Sequence, residues 1–225
     1  MIRKLYHGSA YIIEKPIYGG GKPYNDYGSG FYCTESIEMA REWSVGKNRN
    51  GYANCYELDC SGLKILNLNH EDYCILHWLT LLLQNREFDA PSLLAAEAKE
   101  YLIAEFSIDI DSYDAVIGYR ADDSYFSFAQ DFINGTISVR QLNRAMHLGN
   151  LGQQFVLKSR RAFEEIIYTG NEPVSSDEWY ERKIKRDRAA RREYFSAERS
   201  RRRKGDLYIT RILDEEIKKD DPRLR

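Results

Sequence analysis

The stretch YNDYGSGFYCTES, residues 24–36, constrains the fold more than any other part of this sequence. Gly28 and Gly30 flank a serine, and glycine accepts the backbone conformations that a sharp turn requires. The aromatic pair that ends in Tyr32 follows at once and favours a short strand. Ser36 is then a typical helix N-cap. The pattern predicts a turn that delivers the Tyr32 side chain to a fixed place.

Hydrophobic periodicity along the rest of the chain predicts an α+β protein, because short strands and helices follow one another without regular alternation. The segment 163–170 fits a helix or a strand equally well. A charged helix is expected over residues 176–204, about 40 Å long if it is continuous. The expected strands are 2–9, 31–34, 52–60, 63–69, 113–120 and 153–159, and the other expected helices start at 36, 71, 92, 122 and 138.

Charge is distributed unevenly along the sequence. Residues 181–204 contain twelve Lys or Arg against four acids, a net charge of +8, whereas residues 1–180 carry −9. A charge run of this kind is most often a solvated face, but it is also a candidate surface for nucleic acid or an acidic partner. We therefore expect residues 1–174 to form one domain, and residues 175–225 a charged helical C-terminal extension.

Several function classes are disfavoured by what the sequence lacks. The four cysteines form no C-x-x-C pair, so a metal site is not expected, and reduced thiols in the cytoplasm are the simpler interpretation. The longest apolar run, residues 75–83, is too short to cross a bilayer, and residues 1–9 show no signal-peptide core. There is no P-loop, no G-x-S-x-G elbow and no dinucleotide-binding G-x-G-x-x-G between strand and helix.

Three separated features, taken in order, resemble a known enzyme core. LYHGS (residues 5–9) ends the first strand, G-S-G-F-Y (residues 28–32) follows, and an aromatic residue, Trp43, comes eleven positions after Tyr32. This order resembles the NAD-binding core of the His-Tyr-Glu type of ADP-ribosyltransferases, which include the poly(ADP-ribose) polymerases. Residues 113–142 and 153–159 resemble a narrower group of uncharacterised bacterial proteins within that superfamily.

The resemblance implies a fold and a set of site residues. The fold would be a split pair of antiparallel sheets with flanking helices and NAD in the cleft between the sheets. His7 would bond the adenine-side ribose, and Gly8 would pair its backbone with the nicotinamide carboxamide, with Ser9 beside it. Tyr32 and Trp43 would cover the nicotinamide ring.

The third catalytic position departs from the superfamily pattern. Where the superfamily has Glu at the start of a late strand, this chain has Gln154, as the narrower group tends to have. A carboxamide accepts a hydrogen bond from the ribose 2′-OH but carries no charge. The resemblance therefore favours transfer of a single ADP-ribose. Gly152 stands where the arginine-modifying branch has an acid, which disfavours arginine as the acceptor.

Charged residues after the strand 113–120 are further candidates for the NAD site. Arg120 could meet the NAD pyrophosphate. Asp122 and Asp123 could orient the acceptor or the ribose, or could simply favour the N-terminus of a helix.

Three functions remain open from the sequence. The first is a mono-ADP-ribosyltransferase, potentially a bacterial toxin or effector, that uses NAD as substrate and modifies a protein or a nucleic acid. The second is an NAD glycohydrolase or an inactive NAD-binding domain, since Gln replaces Glu. The third is a nucleic-acid-binding protein that acts through the basic helix. An inhibitor or antitoxin protein is a conceivable partner, and no membrane association is expected.

Overall fold

The strands and helices of the chain agree in kind with most of the sequence predictions. The computed structural model describes residues 1–88, 90, 92–121, 123–148, 152–198 and 202–224, and of residues 123–125 and 197–198 it describes the backbone alone. The strands are β1 (Ile2–Ser9), β2 (Phe31–Cys33), β3 (Gly51–Asp59), β4 (Ile65–Asn67), β5 (Ala115–Tyr119), β6 (Gln153–Leu157) and β7 (Ile166–Val174). The helices are α1 (Ile37–Ser44), α2 (Ile75–Asn85), α3 (Leu93–Phe106), α4 (Asp123–Ile133), α5 (Val139–Ala145), α6 (Arg160–Glu164), α7 (Ser176–Glu193) and α8 (Ile209–Asp214).

The strands form two sheets, and the predicted α+β class is confirmed. One sheet has the order β1-β3-β7 and is antiparallel throughout. The other has the order β2-β6-β5-β4, in which β4 and β5 run parallel. The prediction of wholly antiparallel sheets is wrong at that pair. A parallel pair needs a long crossover, and α2 and α3 supply it between β4 and β5.

The backbones of the two sheets are hydrogen-bonded to each other at one place among the described residues. Tyr6 on β1 forms a bridge with Thr34, just after β2, through backbone N–H···O bonds of 2.8 and 2.9 Å. Beyond that bridge, the ends of β1 and β2 line a gap instead of pairing. This divergence opens the space in which the candidate site lies.

Apolar side chains fill both faces of the four-stranded sheet. One cluster joins the two sheets and includes Leu5, Tyr56 and Phe155. A larger cluster packs α2–α5 and α8 against the other face, with Trp78 and Phe128 among its fully buried members. These packed layers hold the strand ends that carry the candidate site residues.

The C-terminal part departs from the predicted continuous helix. The α-helix α7 ends at Glu193, and a π-helical turn, Tyr194–Glu198, follows it. The charged helix expected over residues 176–204 does not reach that end, since residues 202–204 are not helical. Tyr194 is fully buried in the cluster that includes α2–α5. The α8 residues Ile209 and Ile212 are buried in the same cluster. The proposed division of the chain at residue 174 stays a prediction.

Candidate functional site

A cavity of about 650 Å³ lies where β1 and β2 diverge. Its volume is within the range of about 300–1,000 Å³ that small-molecule sites have. Its walls come from the loop after β1, from β2 and β6, from α1, and from the chain that follows β5. The lining residues that matter for the chemistry are His7, Gly8, Asp26, Tyr32, Trp43, Arg86, Arg120, Ala121 and Gln154.

The ring of His7 is held in one tautomer. Its Nδ1 lies 2.7 Å from the carbonyl oxygen of Tyr32, and the ring stacks on Phe31 with centroids 4.5 Å apart. A carbonyl only accepts, so Nδ1 carries the proton and Nε2 is the acceptor of the neutral ring. Burial lowers the pKa of His7 below 6.5, and the bond to the Tyr32 carbonyl offsets this only in part. His7 is thus a neutral hydrogen-bond acceptor at neutral pH.

Gly8 is required by the packing of β1 on α1. A Cβ at this position would overlap the carbonyl oxygen of Ala40 and would lie 2.7 Å from Ser44 N. The sequence suggested that Gly8 admits a ligand, but its missing Cβ first of all admits the backbone of α1. The next residue, Ser9, lies outside the cavity lining, and its hydroxyl bonds the backbone N–H and carbonyl of Tyr11.

The glycine turn holds the Tyr32 side chain by its hydroxyl. This hydroxyl donates to the carbonyl of Gly28 at 2.6 Å and accepts from the N–H of Tyr27 at 3.0 Å. Gly28 has φ +70°, a left-handed conformation that favours glycine. Burial raises the pKa of Tyr32, so the phenol stays protonated. The sequence prediction that the turn fixes Tyr32 thus has a defined geometry.

The side chains of Trp43 and Arg120 contact each other at the cavity wall. The Arg120 guanidinium carbon lies 4.8 Å from the centroid of the Trp43 ring, which is cation–π geometry. The indole Nε1 of Trp43 is buried and finds no hydrogen-bond acceptor in the described part of the chain. Both side chains therefore lie on the same wall of the cavity.

Asp26 is a site residue that the sequence analysis missed. Its carboxylate is buried and accepts from Ala121 N–H at 2.8 Å, from Gln154 Nε2 at 3.3 Å and from Arg86 Nη1 at 3.2 Å. Burial raises its pKa, which the Ala121 N–H and the Arg86 and Arg120 charges oppose. Aspartate is common in turns, so the presence of Asp26 in the stretch NDYGSG gave no signal of a further role.

Gln154 is the cavity residue that β6 contributes. It is the second residue of β6, buried, and paired in register with Gly118 on β5. Its Oε1 is buried and accepts no hydrogen bond from the residues that the structure describes. An unsatisfied buried acceptor costs about 1–3 kcal/mol, so a hydrogen-bond donor that reaches Oε1 would be stabilising.

Two predicted residues cannot be placed at the cavity. Asp122 lies outside the described residues, and Asp123 begins α4 with a side chain that is not described. Within the described parts of the chain, no group of three His, Cys, Asp or Glu side chains could hold a metal ion. Across that same part, no helix has the length and apolar character needed to cross a membrane.

Comparison with known proteins gives one match. Residues 3–168 match the model of a family described as a protein of unknown function, DUF3990. Neither the curated proteins nor the solved structures gave a significant match. The matched region contains every cavity residue named above.

Proposed function

The chain belongs to the DUF3990 family, for which no function is described, and we propose from its cavity that it is an NAD-dependent mono-ADP-ribosyltransferase. The observation that carries this proposal is the meeting of His7, Gly8, Tyr32, Trp43 and Gln154 around one cavity. The sequence resemblance selected these residues from segments up to 147 positions apart. We also propose that the two diverging sheets are those of the ADP-ribosyltransferase fold.

In the proposed reaction, the bond between nicotinamide and ribose C1′ breaks, and its electron pair leaves with the nicotinamide. An acceptor atom then bonds C1′ and loses a proton, so that the products are ADP-ribosyl acceptor, nicotinamide and H⁺. Positive charge develops on the ribose as the bond breaks, and groups that stabilise it accelerate the step.

Each cavity residue has a role that its geometry permits. The neutral His7 offers Nε2 to a ribose hydroxyl, and Gly8 offers its backbone to the carboxamide. Tyr32 and Trp43 contribute the aromatic surfaces for the nicotinamide ring, and such contacts are worth about 0.5–1.5 kcal/mol beyond burial. Gln154 Oε1, which lacks a donor, is suited to the ribose 2′-OH.

The proposal is tested with NAD itself. We expect the purified protein to bind NAD in calorimetry and to release nicotinamide, faster when a lysate supplies acceptors. Trp43→Ala should weaken binding about tenfold, since it removes one aromatic face of the ring site. The matched control is Tyr24→Ala, an exposed tyrosine outside the cavity. A wild-type protein that neither binds NAD nor releases nicotinamide would refute the proposal.

Transfer of ADP-ribose and hydrolysis of NAD are distinguished by the product in which labelled ADP-ribose is found. Labelled NAD in a lysate should leave ADP-ribose on a protein or a nucleic acid. Release of free ADP-ribose alone would support the second candidate, an NAD glycohydrolase, which the neutral Gln154 in place of a carboxylate favours.

Nucleic acid is a candidate acceptor because of the basic segment 182–204. Part of its charge is used within the protein: Arg182 pairs with Glu178 at 2.8 Å and Arg186 with Glu42 at 2.9 Å. Arg188 and Arg192 are exposed on α7. These two are the better choice for a test than a truncation, because truncation at residue 175 would also remove the buried Tyr194.

Replacing both Arg188 and Arg192 by Glu should weaken binding to single-stranded nucleic acid if the basic segment captures it. The slope of log K against log salt should fall by about 1.4, or about 1.8 on duplex DNA, since each lost phosphate contact removes about 0.7 or 0.9. The control changes Lys218 and Lys219 to Glu, which alters net charge equally at exposed positions elsewhere. Equal slopes in the two double variants would exclude the segment as a nucleic-acid surface.

A further inference from the structure

The carboxylate of Asp26 is the one acidic group among the residues named at the cavity wall, and it accepts a hydrogen bond from Gln154. The Asp26 side chain is only 8% exposed. Its Oδ2 accepts from both Ala121 N–H and Gln154 Nε2, and its Oδ1 accepts from Arg86 Nη1. Three donors from three different parts of the chain therefore hold the carboxylate in place.

This contact fixes the orientation of the Gln154 amide. An ionised carboxylate only accepts hydrogen bonds, so the NH₂ group of Gln154 must face Asp26. The opposite orientation would set Oε1 against Oδ2, two acceptor oxygens 3.3 Å apart, where the bond now lies. The amide consequently presents Oε1 away from Asp26, and the matching ligand group is a hydrogen-bond donor such as a hydroxyl.

Two arginines favour the ionised form of the Asp26 carboxylate, in opposition to burial. Arg86 and Arg120 face Asp26 with positive charge, while the neighbouring phenols of Tyr27 and Tyr32 have raised pKa values and remain neutral. Burial works against them and raises the pKa of Asp26. Within this set, Asp26 is the acidic group, and both Asp26 and Gln154 line the cavity.

We infer that Asp26 is a positioning residue that orients the Gln154 amide. Acting through its hydrogen bond with Gln154, Asp26 also supplies the negative charge that a glutamate at position 154 would carry. The inference rests on the proposed function, because it concerns the stabilisation of positive charge on the ribose. It accounts for the glutamine at this position: a second carboxylate beside Asp26 could not ionise together with it.

The inference is tested by exchanging the carboxylate at position 26 with the carboxamide at position 154. At pH 8 and saturating NAD, Asp26→Asn and Gln154→Glu should each lower the rate of nicotinamide release about tenfold or more, with little change in KM. The first loses the charge, and the second places two carboxylates together. The double variant moves the carboxylate from 26 to 154 and should exceed the product of the single effects by about tenfold.

The matched control is Asp206→Asn. Asp206 is another buried carboxylate, 6% exposed and paired with Arg140 at 2.7 Å, and it is absent from the cavity lining. Asp206→Asn should lower the free energy of unfolding and leave the rate of nicotinamide release unchanged. A wild-type rate in Asp26→Asn, or a double variant no faster than the product of the two single effects, overturns the inference while leaving the proposed function intact.

A second measurement does not depend on NAD. The side-chain amide of Gln154, assigned by its loss in Gln154→Leu, should show one proton shifted downfield in ¹H–¹⁵N spectra because it bonds a carboxylate. This shift should disappear in Asp26→Asn and persist in Asp206→Asn. If wild type releases no nicotinamide, the proposed function fails and this signal decides the orienting role: its loss in Asp26→Asn supports that role, and its persistence refutes it.

Discussion

Gln154→Ala is expected to slow nicotinamide release about 10- to 100-fold while NAD binds nearly as tightly as to the wild type. The amide oxygen would bond the ribose hydroxyl most strongly as positive charge develops, so its loss is felt mainly in the transition state. Asp26 keeps its bonds from Ala121 and Arg86 in this variant, so the cavity wall is preserved. Rate and affinity are measured separately, by single-turnover kinetics and by calorimetry.

The control for this variant is its neighbour on the strand. Gln153 is exposed and points to the opposite face of β6, so Gln153→Ala should keep the wild-type rate. If Gln154→Ala loses rate and affinity in equal measure, Gln154 is a binding or structural residue. A wild-type rate in Gln154→Ala would remove it from the mechanism.

Predictions from the sequence were confirmed where a residue and its immediate neighbours determine the local structure. Ser36 caps α1 as predicted, with its hydroxyl accepting from Met39 N–H at 3.3 Å. The turn at Gly28 and the short strand after it also follow from adjacent residues. The ambiguous segment 163–170 contains both outcomes, since α6 ends at Glu164 and β7 begins at Ile166.

The misses arise from contacts between residues far apart in the chain. The parallel pairing of β4 with β5 depends on a crossover of two helices, and nothing in either strand specifies it. The role of Asp26 depends on Gln154, 128 positions away. The contact of Gly8 with α1 cannot be read from LYHGS alone, and the contact of Gly8 with a ligand stays a prediction. The relationship to ADP-ribosyltransferases stays a prediction, since the family match describes no function.

The resemblance brought together His7, Gly8, Tyr32, Trp43, Arg120 and Gln154, which line one cavity, because it carries information about order that periodicity lacks. Strand patterns alone give no reason for His7 and Gln154 to share a cavity. β2 and the residue after it link the two elements: Thr34 bridges Tyr6 on β1, and the register of β2 with β6 pairs Tyr32 with Val156. The glycine turn before β2 therefore positions Tyr32 for contacts with both sheets, which answers why two glycines precede so short a strand.

Tyr194→Ala is expected to lower the free energy of unfolding by about 3–5 kcal/mol, the usual cost of removing a buried aromatic ring. Tyr194 is fully buried, its ring lies 3.9 Å from that of Phe128, and its hydroxyl donates to Asp131 at 2.6 Å. Urea unfolding followed by circular dichroism measures the change. Tyr194→Phe keeps the ring and should lose about 1–3 kcal/mol, the cost of the hydrogen bond to Asp131.

The matched control is the next aromatic residue, Phe195, which is 52% exposed and should tolerate Ala within about 0.5 kcal/mol. A large effect at Tyr194 in a single cooperative transition would mean that the charged C-terminal part folds together with α2–α5. Equal, small effects at both positions would mean instead that residues 175–225 are energetically separate from the rest. α7 would then be linked to the rest of the described chain through local contacts such as the ion pair of Arg186 with Glu42 on α1, 2.9 Å apart.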